Sequence, residues 1–196
     1  MSNDVNQSRR RFLTATTAVV GGAGAAAAAV PFVASMSPSA RARAAGAPVE
    51  ADISKLEAGR RVTFKWRGKP VWIVNRTDKM LADMKTLEGT LADPNSEAPQ
   101  QPEYTQNGTR SIKDKYLVLV GLCTHLGCSP QFRPEVAAED LGADWKGGFF
   151  CPCHGSKFDL AGRVYAGVPA PTNMVIPPHY YIDDNTILIG EDGGNA

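Results

Sequence analysis

The chain has almost no net charge. Its 21 lysines and arginines against 20 aspartates and glutamates leave a formal charge of +1 over 196 residues. Proteins that bind nucleic acid usually show a basic patch and a high isoelectric point, so the composition argues against a nucleic-acid partner. No internal repeat is visible. The apolar fraction of 43% is normal for a globular domain with a packed core.

Cysteine is missing from most of the chain. All four cysteines, and two of the three histidines, lie within residues 123–154. Such clustering is rare by chance, so one site organises this region. The third histidine, His179, stands beside two prolines and two tyrosines without a candidate ligand nearby. We expect it to be a structural or surface histidine.

Charge is missing again near the amino terminus. Residues 12–40 contain no charged side chain, are rich in Ala, Gly and Val, and follow the arginines of residues 9–11. Consecutive arginines before a weakly hydrophobic segment are typical of a twin-arginine export signal, although a generic basic membrane anchor is the alternative. About 20 apolar residues cross a hydrocarbon core, so residues 1–36 are predicted to contain a signal and transmembrane anchor.

The amino terminus also predicts a location. Basic residues before a span stay in the cytoplasm, so everything after residue 40 is expected on the exported side. We expect a single pass through the cell inner membrane with a periplasmic head. Small residues at Ala40, Ala42 and Ala44 also suit a signal peptidase, so composition leaves cleavage open.

The rest of the chain is predicted to be mostly β. Residues 37–50 are small and polar, as in a flexible hinge linker, and residues 51–196 form the head. Alternating or β-branched runs predict strands over residues 61–66, 70–76 and 115–122, with a hairpin turn between the first two. Apolar spacing predicts a short helix over residues 78–87. Short strands around a turn at residues 183–185 close the chain.

Two motifs carry the chemistry, "CTHLGC" and "CPCHGS". They offer four sulfurs and two imidazoles: Cys123, His125, Cys128, Cys151, Cys153 and His154. A c-type haem needs C-x-x-C-H, which neither motif supplies. Structural zinc prefers four ligands in C-x2-4-C pairs, a habit that these six do not follow. A pure disulfide framework suits an exported protein but leaves both histidines unexplained. An iron–sulfur cluster with mixed ligands is the fourth possibility.

The two motifs resemble the cluster-binding loops of the Rieske iron–sulfur proteins, of the type found in quinol–cytochrome c reductase complexes. The resemblance implies an antiparallel β sandwich or barrel, with a small cluster-binding subdomain at about residues 120–175. It implies one [2Fe–2S] cluster, bound by Cys123 and Cys151 on one iron and by His125 and His154 on the other. Cys128 and Cys153 would then form a disulfide between the loops.

The resemblance also implies roles for residues around the cluster, namely Leu126, Gly127, Ser156, Phe158, Pro169 and Pro171. Ser156 matches a serine that donates to a bridging sulfide, and Leu126 would be exposed beside His125. Many family members carry a hydroxyl-bearing tyrosine where this chain has Phe158, so we expect a lower reduction potential. The prolines belong to "GVPAP" at residues 167–171, which resembles the loop that covers the cluster. The 22 residues between Cys128 and Cys151 are longer than in many relatives, and we expect them to form a surface excursion.

These implications predict an electron-transfer subunit of a ubiquinol–cytochrome c reductase. Histidine ligation raises the reduction potential, because a neutral imidazole adds no negative charge. A bound imidazole also takes up a proton. His154 and His125 are the expected catalytic residues, and His154 is the one expected to face the quinol. The expected partners are cytochrome b, a membrane-bound c-type cytochrome, ubiquinol and the membrane, in a dimeric complex. The alternatives are the Rieske subunit of an arsenite-oxidase-like enzyme and an exported structural metal or disulfide module.

Overall fold

The structure is a computed structural model that describes residues 6–194 and divides into two compact units after Ala44. The first unit is dominated by helix α1 (Gln7–Ser35), which contains Pro31 and has no buried residue. The Asn6 side chain caps this helix by accepting a hydrogen bond from the Arg9 N–H at 3.2 Å. Among the described residues, one helical stretch, Gln7–Gly46, is long and apolar enough to cross a membrane.

The segment expected to be a flexible linker is partly helical. Helix α2 (Ala40–Gly46) occupies its middle, and the first strand begins at Val49 rather than after residue 50. Alanine and arginine are both strong helix formers, which explains why a stretch read as a linker from its small residues forms a helical turn. The division into anchor, linker and head stays a prediction.

The head contains three antiparallel sheets of three strands, which confirms the mostly β prediction. The strands in the described residues are β1 (Val49–Asp52), β2 (Arg61–Trp66), β3 (Lys69–Asn75), β4 (Tyr116–Val120), β5 (Gln131–Arg133), β6 (Gly148–Cys151), β7 (Ser156–Phe158), β8 (His179–Tyr181) and β9 (Thr186–Ile189). The sheet orders are β1-β9-β8, β2-β3-β4 and β5-β6-β7. Helix α3 (Asp78–Lys85) follows β3 and ends two residues before the predicted boundary.

The predicted hairpin turn is present between β2 and β3. Trp66 pairs with Lys69, so the turn has two central residues, Arg67 and Gly68. Their φ values are +49° and +75°. Positive φ at both positions matches the right-handed twist of the flanking strands, which is why such two-residue turns favour glycine.

Strands β3 and β4 are buried on both faces, as their continuous apolar runs indicate, whereas β2 exposes alternate residues. Because successive strand side chains point to opposite sides, Val71 and Ile73 face one core, with Ile187 and Ile189. Trp72 and Leu119 face the other core. That second core also contains the following buried residues: Cys123, Phe149, Cys151 and Phe158. Cys123 follows the end of β4 by three residues and therefore lies in this packed apolar core.

Three buried arginines connect the segment after the second cysteine motif to other parts of the head. The Arg76 Nη1 donates to the Leu160 carbonyl at 3.1 Å. The Arg110 Nη2 donates to the Met174 carbonyl at 2.8 Å. Desolvation by burial lowers the pKa of both guanidinium groups, in each case to about 10, so they remain charged at neutral pH.

The third arginine, Arg163, has a buried carboxylate partner. Its Nε donates to Asp159 Oδ2 at 2.8 Å, and neither side chain has more than 2% of its surface exposed. Asp159 Oδ1 also accepts from the backbone N–H groups of Ala161 and Arg163, at 2.9 and 2.7 Å. This carboxylate therefore holds a tight turn and compensates one of three buried cations.

We expect Asp159→Asn to destabilise the head by about 3–5 kcal/mol, because it leaves Arg163 as an uncompensated buried charge. Chemical denaturation of the solubilised protein, followed by circular dichroism, measures this loss. The matched control is Asp83→Asn, which removes the surface pair with Lys79 (2.7 Å) on α3. That change should cost less than about 1 kcal/mol. Equal losses in the two variants would contradict the predicted role of burial.

Candidate metal centre

The two cysteine motifs form loops with the same backbone turn. In the first loop, the Gly127 N–H donates to the Cys123 carbonyl at 2.9 Å. In the second, the Gly155 N–H donates to the Cys151 carbonyl at 2.9 Å. The two glycines have φ values of +79° and +77°, in the left-handed region where a side chain is strained. A Cβ at Gly127 would meet no atom within 4 Å, so backbone conformation alone explains this glycine.

A disulfide between Cys128 and Cys153 joins the two loops. It is the pair that the family resemblance implies. The sulfurs of Cys128, Cys151 and Cys153 all lie within 4.8 Å of one another. Metals bind thiolates rather than disulfide sulfurs, so the two linked cysteines are not available as ligands.

The two free cysteines lie beneath the loops. Cys123 and Cys151 are 3% and 2% exposed, and the Cys151 side chain is within hydrogen-bonding contact of Cys123. Burial raises the pKa of Cys123, while hydrogen bonds from the His125 backbone and from Ser156 lower it. A buried thiol pair without a carboxylate partner suits a cationic metal, whose charge favours the thiolate form.

The two histidines lie together on the two cysteine loops. The ring centroids of His125 and His154 are 4.8 Å apart, with the ring planes 87° to each other. His154 is exposed and His125 is half-buried. Neither imidazole makes a hydrogen bond with a residue in the range 6–194. The two loops thus offer two imidazoles and two free thiols, and this donor set fits a mixed nitrogen and sulfur iron centre.

A third loop, which contains Pro169 and Pro171, is tied to both cysteine loops. The Ala170 N–H donates to Ser156 Oγ at 3.0 Å. The Thr124 hydroxyl donates to the Thr172 carbonyl at 2.7 Å. Both prolines are exposed. Sequence reasoning did not single out Thr124, although a hydroxyl between Cys123 and His125 was a visible signal.

The remaining residues predicted around the cluster differ in exposure. Leu126 is 71% exposed at the tip of the first loop, next to His125. Phe158 has no exposed surface and pairs across β6 and β7 with Phe149 in the core under the loops. The assignment of ligands and surrounding residues stays a prediction.

The segment between Cys128 and Cys151 is more ordered than a simple surface excursion. It contains β5 and most of β6, and its Ala138, Leu141 and Trp145 form a small apolar cluster. Arg133 holds Asp140 through two hydrogen bonds of 2.8 and 2.7 Å. Lys157 donates to the Leu141 carbonyl at 3.0 Å and so fixes the segment on β7.

The third histidine is structural. His179 is 1% exposed, and its Nδ1 lies 2.8 Å from the Pro177 carbonyl. Burial lowers its pKa, so the ring is neutral at physiological pH. This buried position at the start of strand β8 agrees with the expectation of a structural histidine.

Comparison with known proteins connects these features. Residues 96–178 match the family model described as "Rieske [2Fe-2S] domain". Residues 1–39 match the one described as "Ubiquitinol-cytochrome C reductase Fe-S subunit TAT signal". These matches cover both cysteine loops, the proline loop and the arginines at the start of α1.

Similar full-length relatives are bacterial. The chain is 67% identical to the ubiquinol-cytochrome c reductase iron-sulfur subunit of Allochromatium vinosum, covering 98% of this chain and 93% of that protein. The Blastochloris viridis subunit is 43% identical, with 96% of both chains covered. The Bradyrhizobium diazoefficiens subunit is 39% identical over 93% of this chain and 94% of its own. The chain therefore belongs to the family of ubiquinol–cytochrome c reductase iron–sulfur subunits and carries a Rieske [2Fe–2S] domain.

Proposed function

We propose that this chain takes electrons from ubiquinol at a cytochrome b and passes them to a membrane-bound c-type cytochrome. The observation that carries the proposal is a pair of free, buried thiols at the start of two disulfide-linked loops whose histidine ring centroids are 4.8 Å apart. An exposed imidazole can contact a substrate hydroxyl, whereas a buried thiol cannot. Membership in the reductase subunit family supports the same reaction.

The likeness of the two motifs to the family's cluster-binding loops implies the ligands, and the free thiols of Cys123 and Cys151 support it. Cys123 and Cys151 would hold one iron of the [2Fe–2S] cluster, and His125 and His154 the other. When bound, the cluster supplies a one-electron acceptor whose potential is raised by the two histidines. The disulfide keeps the sulfurs of Cys128 and Cys153 out of the ligand set.

His154 is the residue that would face the quinol. It is exposed, and a ring nitrogen that does not bind metal is free to accept a hydrogen bond and then a proton. Leu126, 71% exposed beside His125, would pack against the partner's pocket and exclude water. Ser156 holds the Ala170 N–H and contacts the Cys123 sulfur, so it would stabilise the thiolate.

The amino-terminal unit would place the head at its partners. We infer that α1 remains as a single span of the inner membrane, with the arginines of residues 9–11 in the cytoplasm and the head in the periplasm. A tether of this kind keeps the head at a high effective concentration near both cytochromes. In the dimeric assembly that we propose, residues 37–50 would form the hinge.

Electron paramagnetic resonance of reduced membranes tests this function. We expect a Rieske-type signal whose line shape changes when an inhibitor of the quinol-oxidation site is added, because the inhibitor would contact His154. His154→Gln should abolish the signal, since an amide replaces a ligand. A Rieske-type signal that several such inhibitors leave unchanged would assign the chain to another complex.

The Phe158→Tyr variant tests the electrostatic environment of the cluster. A hydroxyl at this position can donate to a cysteine sulfur and stabilise the reduced state, so the reduction potential should rise. Redox titration of the solubilised protein measures it. The control is Phe64→Tyr. Phe64 lies in strand β2 and packs against the core that contains Ile187 and Ile189, so this change should leave the potential unchanged. A potential equal to or below that of the parent in Phe158→Tyr would refute the reasoning.

Removing the disulfide through Cys128→Ala and Cys153→Ala tests how the loops are held together. The bond spans 25 residues, and losing it should destabilise the loops by about 3 kcal/mol. We expect thermal loss of the resonance signal at a lower temperature and less bound iron per protein. Far-ultraviolet circular dichroism should stay near that of the parent, because the other two sheets do not involve the bond. Unchanged iron content after heating would contradict this expectation.

A further inference from the structure

A groove lies between the start of strand β2 and the segment after the first cysteine loop. One wall is the entry to β2, with Arg60 and Arg61, and the other contains Pro130, Phe132 and Pro134. Its volume is about 520 Å³. Pro130 is two residues after Cys128, so one wall of the groove directly follows the first cysteine loop.

Arg61 is held in this groove by an aromatic ring. Its guanidinium carbon lies 4.1 Å from the centroid of the Trp72 ring, a cation–π contact. The residue is half-buried, and desolvation lowers its pKa. Trp72 in turn stacks on Phe149 at 5.6 Å, and Phe149 lies 5.6 Å from Phe132 of the opposite wall. The cation is therefore fixed in orientation by the core under the metal centre.

Neither guanidinium in the groove has an acidic partner. Across the described part of the chain, no ion pair or side-chain hydrogen bond is recorded for Arg60 or Arg61. Arg133, half-buried in the neighbouring strand β5, differs: it pairs with Glu135 and Asp140. The fully buried arginines also donate to carbonyl or carboxylate oxygens. Arg61 is thus a partly desolvated, pre-oriented cation whose donors remain free.

We propose that this groove binds an aspartate or glutamate side chain from another subunit of the reductase. A guanidinium presents paired donors that match a carboxylate, and two arginines line this groove. The apolar wall of Pro130, Phe132 and Pro134 suits the methylene groups and neighbouring residues of a protein segment. A carboxylate bound in the groove would hold the start of β2 against the segment that follows the first cysteine loop.

A zero-length crosslink in the assembled complex tests the proposal directly. Arg61→Lys places a primary amine in the groove, and a water-soluble carbodiimide activates nearby carboxylates. The amine displaces the activating group to form an amide, while the carbodiimide takes up the elements of water as a urea. Mass spectrometry of the digested complex then identifies the carboxylate. The amide uses none of the proposed cluster ligands, so its failure is separate from failure of the proposed function.

The matched control is Arg67→Lys on the same hairpin. Arg67 also lies over an indole, 4.5 Å from the Trp66 ring, but it is outside the groove. We expect a crosslink to another subunit from Arg61→Lys, and from the neighbouring variant Arg60→Lys, but none from Arg67→Lys. Crosslinks only within this chain, or equal crosslinking in the control, would overturn the proposal.

Salt dependence gives a second readout. Arg61→Gln should lower the salt concentration at which half of the subunit dissociates from the purified complex, whereas Arg67→Gln should not. Equal midpoints in the two variants would refute the carboxylate partner. Co-purification of a phospholipid that is lost in Arg61→Gln, without any crosslink, would also refute it and assign the groove to a lipid phosphate.

Discussion

The geometry of the site depends on the covalent bond between Cys128 and Cys153. Each cysteine motif alone makes only a tight turn closed by a glycine, with one free thiol at its start. The disulfide brings the turns face to face, so that Cys123 approaches Cys151 and His125 approaches His154. Because the same bond uses two of four sulfurs, it also reduces six possible ligands to four.

The loops are held by the head beneath them. Trp72, Phe149 and Phe158 fill the core directly under the two free cysteines. The buried ion pair of Asp159 and Arg163 orders the chain immediately after the second loop. A loop supported in this way loses little entropy when it binds a metal, which favours binding. The same support leaves the imidazoles at the surface, where a substrate can reach them.

The potential ligands of the site differ in burial, and so do the arginines of the head. The free thiols are buried, whereas His154 is exposed and His125 is half-buried. The arginines divide in the same way. Arg76, Arg110 and Arg163 donate hydrogen bonds to buried oxygens, whereas the Arg61 side chain makes no hydrogen bond within the described residues.

The sequence by itself determined what depends on neighbouring residues and on motifs. The β2–β3 hairpin, helix α3, the export signal and the two cysteine motifs were all predicted from local spacing and residue type. Tertiary structure decided which distant groups meet: the hydroxyl of Thr124 and the Thr172 carbonyl, the guanidinium of Arg61 and the ring of Trp72. It also formed a small apolar cluster in residues 129–150, where only a surface excursion was expected. Periodicity reports which face of an element is apolar, but contacts across many residues depend on how the elements pack.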